Sequence, residues 1–101
     1  MIRASFRICS DAASFTVKGH AGFAEAGNDI VCAAVSSAAY MAANTITEIL
    51  CVAAEAQVKD GYLRFSFSGS KAASDVVRGL KLHLEELASQ YPDRIKVTTE
   101  V

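Results

Sequence analysis

From the first residues of the chain, Ile2, Ala4, Phe6 and Ile8 alternate with polar or charged neighbours, the period-two pattern of a strand with one buried face. Ser10-Asp11-Ala12-Ala13 reads as a turn, after which Phe15 and Val17 resume the alternation toward Gly19, so the two runs predict a hairpin. Ala21 to Asn28 has no period and contains Gly22 and Gly27, the composition of a loop. Ile30 to about Leu50 is Ala-rich without Gly or Pro, which predicts a long helix with Asp29 at its cap and small side chains packed close to a sheet. Val52, Ala54, Ala56 and Val58 alternate up to Asp60-Gly61, a strong hairpin signal, and Leu63, Phe65 and Phe67 continue beyond it. Val76, Val77, Leu80, Leu84, Leu87 and Ala88 form an apolar stripe on a helix predicted from about Ala72 to Tyr91 and stopped by Pro92. Ile95, Val97, Thr99 and Val101 make the last strand. The order β-β-α-β-β-α-β predicts an α+β fold, one domain over residues 1–101, with two helices packed on one or both faces of a mixed sheet.

Composition narrows the functional classes. With 51% hydrophobic and 21% charged residues in 101, the chain has the makeup of one globular domain, and at this size a dimer would add useful burial. Ten basic against eleven acidic residues give a formal charge of −1, with the basic ones scattered from Arg3 to Lys96, which argues against nucleic acid as a direct partner. No run approaches the roughly 20 apolar residues of a membrane span, and Met1-Ile2-Arg3-Ala4-Ser5-Phe6 is too polar for a signal peptide, so no membrane association and a cytoplasmic location are expected. Cys9, Cys32 and Cys51 are an odd number without CxxC spacing, so at least one thiol should be free. No ligand spacing supports a metal, and no cofactor is expected.

Cys32 lies three residues after Asp29 and would occupy the third position of the first helix, where free N–H groups and the positive end of the dipole favour a thiolate. His20, at the end of the second strand, could return against that helix start, take the thiol proton and later protonate a leaving amine. Amides around Cys32 could polarise a scissile carbonyl. The bland alternative is a small core cysteine and a surface histidine. Asp29 either caps the helix or orients His20, and its charge would oppose a thiolate nearby. Ser36, four residues after Cys32, faces the same way, for helix packing or for substrate. Cys9 and Cys51 are expected to be buried and inert, and His83 to be a surface group.

The run from Gly19 through His20, Gly22, Phe23, Glu25, Gly27, Asn28, Asp29, Ile30, Val31 and Cys32 to Ser36 resembles the signature of the ribosomal-processing cysteine proteases: GHA, a glycine loop, then G-x-D-I-V-C-A-x-x-S. The resemblance implies Cys32 as nucleophile, His20 as base, and Asp29 and Ser36 as supporting residues. It further implies a bacterial enzyme, usually a homodimer, that removes the N-terminal extension of large-subunit ribosomal protein L twenty-seven after an aromatic-rich stretch. Many relatives carry a tyrosine where this chain has Ala26, and Phe23 is expected to supply the missing aromatic surface. Gly22 and Gly27 would serve as hinges that admit a peptide and close on it. The competing expectation is a ribosome-assembly or protein-binding module in which Cys32 is structural.

Overall fold

The computed structural model describes residues 1–19 and 29–100. Its strands are β1 (Ile2–Ile8), β2 (Ala13–Lys18), β3 (Ala54–Lys59), β4 (Tyr62–Phe67) and β5 (Ile95–Thr99), and its helices are α1 (Ile30–Asn44) and α2 (Lys71–Gln90). The element order is the one the hydrophobic pattern predicts. The strands form one mixed sheet in the order β3-β4-β2-β1-β5, in which β5 pairs with β1 in parallel and the other neighbours are antiparallel.

The connections explain why this sheet is covered on one face. Helix α1 joins β2 to β3, and α2 joins β4 to β5, each linking strands that run the same way. β2 and β4 are antiparallel, and the two crossovers travel toward opposite edges of the sheet. With the right-handed crossover such connections favour, the two reversals cancel and both helices arrive on the same side. There they bury Ile2, Ala4, Phe6, Phe15, Leu63, Phe65 and Phe67 beneath Val31, Val35 and Ala39 of α1 and Ala73, Val77, Leu80 and Leu84 of α2. Phe6, Phe15 and Phe65 lie side by side across three strands, with ring centroids 5.9 and 5.4 Å apart, so cross-strand aromatic contacts fix the register of the sheet centre. Of the expected one or two covered faces, the sheet has one.

Several expectations change. The first helix is α-helical to Asn44 and then loosens into a π-turn over Thr45–Ile49, where the Leu50 N–H donates to Thr45 O at 2.9 Å. The Thr45 and Thr47 hydroxyls donate back to Met41 O and Ala43 O at 2.7 and 3.2 Å, the local bonding by which threonine competes with a regular helix. Cys51, at φ 55°, then takes the left-handed conformation that ends the segment. The helical segment Ile30–Ile49 reaches a mean hydropathy of 1.4 over 18 residues and is, by length and composition, long and apolar enough to cross a membrane, contrary to the expectation that no such run exists. Ile30, Val31, Val35, Ile46 and Ile49 together with six alanines make it so, and its stripe of Val31, Val35, Ala39, Ala42, Ala43 and Ile46 is buried in the core. β3 begins at Ala54 rather than Val52 and is an edge strand whose Ala56 and Val58 are exposed despite their alternation. Cys9 and Cys51 are exposed free thiols and not buried ones, because both fall in connections just outside the regular elements. His83 is exposed on α2, as expected.

The uncovered face changes the reading of charge. Arg3, Arg7, Lys18, Lys59, Arg64 and Lys96 lie far apart in sequence, yet the strand pairing brings all six to this face. Scattering along the chain therefore does not mean scattering on the surface.

Candidate active site

The geometry of the site begins with the start of α1. Asp29 has extended backbone angles, φ −81° and ψ 106°, and its Oδ1 accepts from the Val31 N–H at 2.9 Å and the Cys32 N–H at 3.1 Å. Its own carbonyl accepts from the Ala33 N–H at 3.0 Å, closing the first turn. Asp29 is therefore the N-cap, and Ile30, Val31 and Cys32 are the first three helical positions. Asp29 is 6% exposed, so this carboxylate is held by the helix end rather than by water.

The cap sets the electrostatics of the thiol beside it. Cys32 is in no disulfide and is half-buried, with its side chain against the hydrophobic core. It stands in the positive field of the helix end, which favours a thiolate, and close to the Asp29 carboxylate, which opposes one. The expected reserve of amides around Cys32 is also reduced, since the Cys32 N–H donates to Asp29. Activation of this thiol therefore calls for a base in addition to the helix end.

His20, Gly22, Phe23 and Gly27 lie outside the described residues, and with them the role of Asp29 as a histidine orienter. Ser36 is exposed one helical turn beyond Cys32. No group of three or more His, Cys, Asp or Glu that could hold a metal occurs among the described residues.

One contributor escaped the sequence reading. Gly19, the residue before His20, has φ +96°, donates its N–H to Gly61 O at 2.8 Å, and lies so close to Met1 that a Cβ would collide with the Met1 carbonyl. The end of β2 is thereby clamped between the chain start and the β3–β4 turn, which fixes where the chain departs toward His20. The GH dipeptide was visible, but Gly19 read merely as the end of a strand because the contact with Met1 is non-local.

Comparison with known proteins adds three findings. A family model described as cysteine protease Prp matches residues 1–96. The ribosomal processing cysteine protease Prp of Bacillus subtilis (strain 168) is 32% identical over 111 residues, taking in 100% of this chain and 99% of its own. Among solved structures, SMU.848 from Streptococcus mutans superposes with a TM-score of 0.76 at 29% identity, over 98% of this chain and 93% of its own. The essential ribosomal processing protease Prp from S. aureus, in complex with a covalently linked product peptide, superposes with a TM-score of 0.87 over 99% of this chain and 100% of its own. At 20% identity that likeness speaks for the fold.

Proposed function

The chain belongs to the cysteine protease Prp family, and from that premise we propose that Cys32 is its nucleophile and His20 its general base. The observation that carries this reading is the position of Cys32: a half-buried cysteine, in no disulfide, at the third residue of a helix capped by Asp29. The imidazole of His20 removes the thiol proton, and Cys32 Sγ adds to the scissile carbonyl. Collapse of the tetrahedral adduct breaks the C–N bond, the imidazolium gives its proton to the leaving amine, and a thioester to Cys32 stays behind. Water, deprotonated by the same imidazole, hydrolyses the thioester and frees the thiol.

Asp29 acts by holding the helix start, and Ser36 lines the substrate path one turn on. Gly22 and Gly27 are hinges around Phe23 that let an extended apolar peptide enter and then close on it. The substrate is the N-terminal extension of large-subunit ribosomal protein L twenty-seven in a bacterial cytoplasm, as the motif resemblance implies; the name of the B. subtilis relative supports the ribosomal-processing part of this reading. The enzyme works as a homodimer, for which Met41 and Ile49, 69% and 74% exposed on the α1 side, offer apolar contact surface. Incubation with a peptide copying the extension tests the assignment: the wild type cuts it, His20→Ala is slowed at least about a hundredfold, and equal cutting by both would remove His20 from the mechanism.

A further inference from the structure

The open face of the sheet is organised by register. Lys96 pairs with Arg3, Arg3 with Lys18, Lys18 with Tyr62, and Tyr62 with Lys59, so one row crosses all five strands with four cations and one aromatic ring. At the usual strand spacing this row is about 19 Å long. The next row reads Thr98, Ser5, Thr16, Arg64 and Gln57, with Arg64 donating to Thr16 Oγ1 at 3.1 Å. The Lys59 ammonium lies 5.8 Å from the Tyr62 ring centroid, which places both side chains on this face.

The charge is one-sided. Six of the ten basic residues are here, and the strands bring only Glu55 and, just past β5, Glu100 to oppose them; Glu100 stands 3.9 Å from Arg7, at the far edge from the basic row. Asp60 sits in the turn after Lys59. The rest of the chain therefore holds four basic and nine acidic residues, so a near-neutral protein is strongly polarised. No large apolar side chain shares the face among the described residues, since the inward positions of each strand take them.

We propose that this face binds single-stranded RNA through its phosphate backbone. A flat row of cations beside a row of hydroxyls matches a polyanion whose sugars also carry hydroxyls, and the lack of an apolar wedge disfavours a lipid surface. The complex follows from strand register alone and stands or falls independently of the protease assignment. It also reverses the expectation drawn from basic residues spread along the sequence.

Fluorescence anisotropy of a labelled oligouridylate with the full chain tests it, titrated between about 50 and 200 mM salt. Contacts from Lys96, Arg3, Lys18, Lys59 and Arg64 predict a slope of log K against log salt of about −3.5. Arg3→Gln with Lys96→Gln, and separately Lys59→Gln with Arg64→Gln, should each weaken binding about tenfold and lower the slope by about 1.4. Arg3→Lys with Lys96→Arg should restore it, and Lys71→Gln with Lys81→Gln on α2 should change it less than twofold, all with unaltered circular dichroism. Absence of binding at low salt, equal weakening by the α2 pair, or equal affinity for polyglutamate or oligodeoxythymidylate would overturn the proposal. So would binding to phosphatidylserine vesicles without binding to the oligouridylate.

Discussion

The two helices of this protein start in closely similar ways and serve different ends. α1 is capped by Asp29 and carries Cys32 at its third position; α2 is capped by Ser70, whose Oγ accepts from the Ala73 N–H at 3.0 Å, and carries Ala73 at the same place. Ala73 is fully buried, and the start of α2 is tied to the β1–β2 turn by the Ser70 N–H donating to Asp11 O at 2.8 Å. Cys32 is half-exposed, and its cap is a buried carboxylate instead of a neutral hydroxyl. The same capping physics thus makes one helix end a structural joint and leaves the other presenting a thiol. A helix N-terminus alone does not make a nucleophile; access and a neighbouring base do.

The comparison is broken most severely at the thiol. Cys32→Ala should lower turnover of the extension peptide by about a thousandfold or more, and adding Ala73→Cys should restore nothing, since that position has the helix end without the access. Recovery of cleavage in the double variant would mean that the helix start suffices. Next in size is Gly19→Ala, which forces a Cβ into the Met1 carbonyl at a positive φ and should cost about 2 kcal/mol in urea unfolding, with slower cleavage because the approach to His20 is displaced. A wild-type denaturation midpoint would show that the clamp is unimportant.

The caps themselves give smaller effects that sharpen the contrast. Asp29→Ala and Ser70→Ala should each cost about 1 kcal/mol of stability, but Ser70→Ala should leave kcat unchanged. Asp29→Asn keeps a capping oxygen while removing the charge, so thermal stability should fall by only a few tenths of a kcal/mol. Its Cys32 should alkylate faster at neutral pH, because the carboxylate opposing the thiolate is gone. A tenfold drop in turnover in Asp29→Asn with unchanged stability would instead assign Asp29 to orienting His20.

The strands and both helices were legible because alternation in β1, β2 and β4 and the stripe in α2 are local signals. So was the Asp29 cap, which needs only the two consecutive amides of Val31 and Cys32. The π-turn at Thr45–Ile49 was not, since Ala-rich propensity continues through it and the threonine back-bonds that loosen it are not a sequence pattern. Nor was the exposure of Ala56 and Val58, which depends on β3 being the sheet edge, or the exposure of Cys9 and Cys51, which lie just past element ends. The basic row is the clearest case: Arg3, Lys18, Lys59 and Lys96 become neighbours only through strand order. For the site, the motif named Cys32, whereas the role of Gly19 depended on a contact with Met1.

The central claim, that Cys32 forms the covalent bond to substrate, is tested most directly by acid-quenching the wild type during turnover of the extension peptide and mapping the acylated residue by mass spectrometry. The account predicts a thioester on Cys32, absent from Cys9 and Cys51 and lost with hydroxylamine. Acylation at either of the other cysteines, or cleavage at the wild-type rate by Cys32→Ala, would contradict it.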